Sequence, residues 1–232
     1  MLIVSVGSAA IDIAQLGDTA GHLVLAACYV IAILLAWLIA ARMRLTSADV
    51  GFVRPRAAGG SPVVWFLPLV VIEAVGLLPG FAATGTRLVA SLVLLTVLVG
   101  VGEELYFRGL IVRVLRRVSV PAAVWGSAGI FAVGHLPNAL QFSGVYVALQ
   151  FVFAFVFGVV TAALVLRTGS LWPLIAWHAC HDFIGYTTGN TVTGIAGVAV
   201  VIQIVLMAAY AVVLVRSLPG FGGNRGLPPN AV

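Results

Sequence analysis

Long apolar runs separated by short polar breaks organise the whole chain. Hydropathy and punctuation predict helices over 22–41, 62–81, 87–117, 121–136, 145–166, 171–186 and 193–215. The breaks are RMRLTS, PRAAGGSP, GFAATGT, SVP, PNALQFSG and RTGS, each rich in turn formers or charge. Phe151, Phe153, Phe155 and Phe157 alternate as in a strand, but an open strand leaves its backbone unpaired in lipid, so a helix is expected there. The first residues, MLIVSVGSAAIDIAQLGD, are apolar without a basic start. This fits an interfacial or inserted segment better than a cleaved leader, and insertion would raise the span count from seven to eight.

The expected fold is therefore all-α, a polytopic transmembrane bundle. A single membrane domain over 1–218, with its motif-bearing core at 87–186, would be followed by a disordered, cytoplasmic Gly- and Pro-rich tail at 219–232. Composition sharpens the picture: 62% of residues are hydrophobic and 8% charged, where a soluble domain carries about 25% charged residues. The net charge of +5 comes from Arg alone. Arg42, Arg44, Arg54, Arg56, Arg113, Arg116, Arg117, Arg167, Arg216 and Arg225 map to one side of the predicted spans, with Arg87, Asp12 and Asp18 on the other. The positive-inside rule makes the arginine side cytoplasmic, with the N-terminus outside the cell membrane and the C-terminus within. Basic residues spread in this way form no groove for phosphates, so nucleic acid is not an expected partner. Cys28 and Cys180 are far apart in apolar runs and read as small core residues.

The chemistry lies in polar residues inside the spans, where an unpaired charge costs several kcal/mol and so calls for a purpose. These are Glu73, Glu103, Glu104, Arg108, His135, His178, His181 and Asp182. Glu104 and Arg108, at i and i+4, share a helix face and fit a structural ion pair. Glu103 points about 100° away and needs a partner from another helix. Gly100 and Gly102, just before the acids, would let a neighbour come close. Around a turn at 118–120, Glu103 and His135 lie at equal depth, about 24 Å from the tip, and His178 lies roughly 15 Å into its own span. His178 and Asp182 share a face, which admits a local hydrogen bond, while His181 joins or flanks them. Glu73 has no basic or His neighbour in sequence and reads as structural. The tryptophans fit an interfacial belt.

Carboxylates and imidazoles meeting in a dry site can activate water against a carbonyl and stabilise the resulting oxyanion. The same donors admit a divalent metal such as zinc, although the chain lacks HExxH. Buried Glu and His also serve proton-coupled transporters, but no internal repeat is found. A noncatalytic scaffold or immunity protein of the same fold is the third class.

EELYFR (Glu103, Glu104, Arg108), FAVGH (Phe131, His135) and HACHD (His178, Asp182) resemble the ordered motifs EExxxR, FxxxH and HxxxN/D of the CAAX-processing and bacteriocin-processing (CPBP, abortive infection) intramembrane proteases. That resemblance covers about 90–185 and implies an endopeptidase cutting a peptide or membrane-associated protein, prenylated or bacteriocin-like, from the cytoplasmic side. It implies that Glu103 and His135 activate water, that His178 and Asp182 form the oxyanion site, that Glu104 positions and that Arg108 braces. It leaves open a glutamate-dependent or a metal-dependent mechanism. Asp182 departs from the Asn of the prenyl-protein branch: an amide donates a hydrogen bond, whereas an ionised carboxylate only accepts, so Asp182 either donates when protonated or orients His178.

Overall fold

The structure is a computed structural model that describes residues 2–56, 61–82, 85–189 and 191–221. Arg225, the expected tail from 222 onward and parts of the PRAAGGSP and GFAATGT breaks lie outside the described residues. Helices account for nearly all of the rest, and no strand occurs among the described residues. In chain order they are α1 (Leu2–Ala14), α2 (Asp18–Arg42), α3 (Leu67–Gly76) after a 3-10 turn at Pro62–Trp65, and α4 (Thr86–Glu104). A π-helical stretch, Leu105–Ile111, continues α4 into α5 (Val112–Arg116). A second π turn, Ala122–Gly126, leads into α6 (Ser127–Val133), followed by α7 (Gly144–Thr168), α8 (Trp172–Thr187) and α9 (Gly194–Ser217).

Every predicted helical run is present, with α1 in addition, but their lengths differ from a set of seven full spans. Among the described residues four helices are long and apolar enough to cross a membrane: Asp18–Arg42, Thr86–Arg116, Gly144–Thr168 and Gly194–Ser217. Pro62–Gly76, α6 with its π turn, and α8 are shorter than the hydrocarbon core requires. The expected count of seven is therefore not reproduced by helix length. The short helices are built on the long ones. Glycines make this close packing possible: a Cβ on Gly100 would stand 2.8 Å from the Ile175 carbonyl oxygen of α8, and one on Gly158 would stand 2.7 Å from Ala128 Cα of α6.

The two ends of the bundle are finished differently. At the arginine end, the loop after α2 folds against the turn between α7 and α8: Leu171 N–H donates to Gly51 O at 2.8 Å, Arg56 N–H to Thr168 O at 2.9 Å and Ser170 Oγ to Val53 O at 2.6 Å. Phe52 wedges between Trp37 and Trp172. Gly169, at φ 71°, ends α7 in the left-handed conformation that lets the chain turn there. At the opposite end, where α2, α4, α7 and α9 begin and α8 ends, the helices splay around a cavity.

Candidate active site

The site starts from the contact of α4 with α8 at Gly100. With the backbones this close, the Glu104 side chain reaches across to His178, whose Nδ1 lies 2.8 Å from Glu104 Oε1. Arg108 Nη1 approaches the same Oε1 at 3.1 Å, one helical turn on, where the backbone has entered the π stretch. All three side chains are buried, Glu104 completely. The guanidinium is within ion-pair distance but not aligned to hydrogen bond, and its Nε, Nη1 and Nη2 have no hydrogen-bond partner among the described residues. Its other support is aromatic: it lies 4.3 Å from the centroid of Phe131, with Phe157 and Phe107 at 5.7 and 5.8 Å. Arg108 is thus caged by rings as well as paired with Glu104.

Glu103 finds the partner that its own helix lacks. Tyr29, midway along α2, donates its hydroxyl to Glu103 Oε1 at 2.7 Å. Gly102 makes room for that ring, since a Cβ there would lie 3.0 Å from Tyr29 Cδ1. Glu103 Oε2 is 3.7 Å from His178 Nε2, and Asp182 Oδ2 is equally 3.7 Å from that nitrogen. These are electrostatic neighbours rather than hydrogen bonds, so the local His178–Asp182 bond considered from spacing does not form. His178 is ringed by three carboxylates, with one nitrogen committed to Glu104.

His135 follows α6 at the point where Pro137 turns the chain into the 3-10 segment Leu136–Leu140. Its Nδ1 lies 2.9 Å from the Phe131 carbonyl oxygen, which accepts a hydrogen bond and so leaves Nε2 as the basic nitrogen. Phe131 organises the site from beneath, packing edge-on against His135 at 4.8 Å while lying over Arg108.

Glu103, His135, His178, His181 and Asp182 line one cavity of roughly 740 Å³. Its floor is the buried Glu103–His178 pair, and its exposed margin includes Asp12, Asp18, Gln141 and Thr191. Gln141 Nε2 donates to Asp12 Oδ2 at 2.5 Å across that margin. Among the described residues no arginine lines the cavity. It opens at the end of the bundle opposite the arginine-rich loops, which bears directly on the route of a substrate.

Glu73 and His181 form a second pair beside the first. Glu73 Oε1 accepts from Trp177 Nε1 at 2.7 Å, and His181 Nδ1 lies 3.2 and 3.3 Å from the two Glu73 oxygens. Glu73 is therefore partnered by α8, 104 and 108 residues away along the chain. Two residue types escaped the sequence reading. Tyr29 is one, flagged only by a hydroxyl in the middle of an apolar run. Trp177 is the other: assigned to the interfacial belt, it is 6% exposed and donates inside the protein. Of the cysteines, Cys28 is half-buried, whereas Cys180 is exposed instead of lying in the core.

The donor types would suit zinc, but their arrangement does not. Among the described residues no three His, Cys, Asp or Glu side chains converge as a metal site demands. No step is assigned to a metal.

Comparison with known proteins bears on this geometry. No curated protein and no solved structure matches the chain. The model of the type II CAAX prenyl endopeptidase Rce1-like family does match, over residues 85–184. That segment carries α4 to α8 and every motif residue from Glu103 to Asp182. The match over this segment, in an all-helical chain, is consistent with a CPBP-family intramembrane protease.

Proposed function

We propose that the protein is an intramembrane endopeptidase that hydrolyses a peptide bond in a membrane-associated substrate, with Glu103 and His135 activating the attacking water. The observation that carries this reading is that Glu103, His135, His178 and Asp182 line one cavity, although they come from three separate segments. Water held between Glu103 Oε2 and His135 Nε2 directs a lone pair at the scissile carbonyl. As its oxygen bonds to the carbonyl carbon, its proton passes to Glu103, and the carbonyl electrons move onto oxygen. Collapse of that intermediate breaks the C–N bond, and Glu103 returns the proton to the leaving nitrogen. The products are a carboxylic acid and an amine, which ionise to a carboxylate and an ammonium. Tyr29 holds the far oxygen of Glu103, while Glu104 and Arg108 fix the ring of His178 beside the developing oxyanion. The family supports a substrate of the CAAX type, and a prenylated or bacteriocin-like peptide is the substrate class proposed.

Cytoplasmic entry, expected from the resemblance, conflicts with a cytoplasmic arginine end, because the cavity opens at the other end. We retain the positive-inside orientation in the cell membrane and propose entry from the opposite face. In a background of Cys28→Ala and Cys180→Ser, a membrane-impermeant maleimide should label Gln141→Cys in intact cells and Arg116→Cys only after permeabilisation. The reverse pattern restores cytoplasmic entry. For activity, peptide termini are compared between cells carrying wild-type and Glu103→Ala protein. New termini present only with the wild type are expected, and identical sets of termini reject proteolysis.

A further inference from the structure

Glu73 and His181 take no part in the reaction as drawn, yet their arrangement is more complete than a buried pair needs. Glu73, on α3, is buried and receives N–H groups from Trp177 and His181. His181 is held by stacking as well: its ring lies 4.5 Å from that of Phe153 on α7, at 15° between planes, with Phe157 at 6.1 Å. Gln203 of α9 donates to the Ile72 carbonyl at 3.1 Å and anchors α3 behind the pair. Nδ1 is tied to Glu73, and His181 lines the cavity together with Glu103, His135, His178 and Asp182.

In the proposed reaction His178 stands beside the oxyanion in an acidic surround, where a second donor would add stabilisation. His178 gives Nδ1 to Glu104, and its Nε2 already faces Glu103 and Asp182, each at 3.7 Å. An oxyanion there would meet the Asp182 carboxylate, Glu103 having taken up the water proton by then. Asp182, where the family motif carries Asn or Asp, brings no N–H of its own. His181 is the adjacent residue on the same helix, it lines the same cavity, and Glu73 supplies the charge that balances an imidazolium.

We propose that His181 is the hydrogen-bond donor to the oxyanion, with Glu73 as the residue that positions it, so that in this chain a Glu–His pair does what an amide at position 182 would otherwise do. This inference rests on the proteolytic reading above and assigns one further function within it.

The test uses purified full-length protein in liposomes and a farnesylated peptide ending in Cys-aliphatic-aliphatic-X, with release of the terminal tripeptide as readout. His181→Leu should lower kcat about 100-fold, as loss of one oxyanion donor does, with KM changed no more than about threefold. His181→Gln, which keeps an N–H and a similar reach, should stay within about tenfold of wild type. Glu73→Gln should fall between them. The sharpest arm adds Asp182→Asn to His181→Leu: an amide one residue along should recover at least tenfold of the lost rate. Thermal unfolding of each variant separates loss of fold from loss of chemistry.

His181→Leu at wild-type kcat, or equal losses for Leu and Gln with no recovery by Asp182→Asn, overturns the donor role and leaves the protease reading standing. Wild-type protein that neither releases the tripeptide nor changes any peptide terminus in cells relative to Glu103→Ala overturns the protease reading, and the donor role with it.

Discussion

Helix α8 carries two imidazoles three residues apart, and each meets a buried glutamate from a different helix, but the two pairs are built on different principles. His178–Glu104 has Arg108 as a third member, stacked among Phe107, Phe131 and Phe157. His181–Glu73 has no arginine; the indole N–H of Trp177 takes that place. A full cation beside Glu104 answers the larger problem, because Glu103 and Asp182 also crowd His178. Glu73 is one carboxylate among apolar helices, and two neutral-type donors satisfy it. A buried acid thus needs a permanent cation where carboxylates accumulate, and only well-aimed N–H groups where it stands by itself.

Breaking the first pair should have the largest effect. Arg108→Leu leaves Glu104 buried without its cation and should cost about 3–5 kcal/mol of stability, measured by thermal or denaturant unfolding in detergent. Adding Glu104→Gln should return part of that loss. Arg108→Lys should not substitute, because an ammonium lacks the flat face that lies against Phe131. The second pair should yield more easily: Glu73→Gln keeps an acceptor for Trp177 and should cost about 1–3 kcal/mol. A Glu73→Gln loss as large as that of Arg108→Leu would erase the distinction.

Gly100→Val tests the scaffold rather than the charges. Its side chain would collide with the Ile175 carbonyl, and the helices would have to separate. A loss of about 1–3 kcal/mol is expected, with activity falling further than stability because Glu104 would no longer reach His178. The smallest effect belongs to an ion pair outside the membrane. Asp49 accepts from Arg113 Nη2 at 3.5 Å and from Thr46 N–H at 2.8 Å, in full contact with solvent. The Thr46 backbone donor, helped by its hydroxyl and by Arg113, holds the Asp49 carboxyl below its ordinary range. A depressed carboxyl stabilises the fold above its ordinary pKa and loses that contribution as pH falls, so Asp49→Asn should lower the melting temperature slightly at neutral pH and leave it unchanged in acid.

Much of the site was legible in the chain because lipid makes polar residues conspicuous. Glu103, Glu104, Arg108, His135, His178 and Asp182 stand out against apolar runs, and helical spacing predicted the Glu104–Arg108 pairing that forms. Gly100 and Gly102 announced close approach, and a neighbour occupies each approach. Tyr29 and Trp177 were not legible in this way, since an aromatic residue in a membrane helix is as ordinary at an interface as in a core. Partners for Glu73 lay more than 100 residues away and could not be found from spacing.

The order and character of the helices, their charge asymmetry and the candidate polar side chains follow from the sequence alone, because the cost of exposing backbone or charge to lipid acts on each segment independently. Which imidazole meets which glutamate, and at which end the cavity opens, depends on how the helices cross. Those choices are set by packing between segments distant in sequence, where a glycine contact a few ångströms wide decides what a side chain can reach.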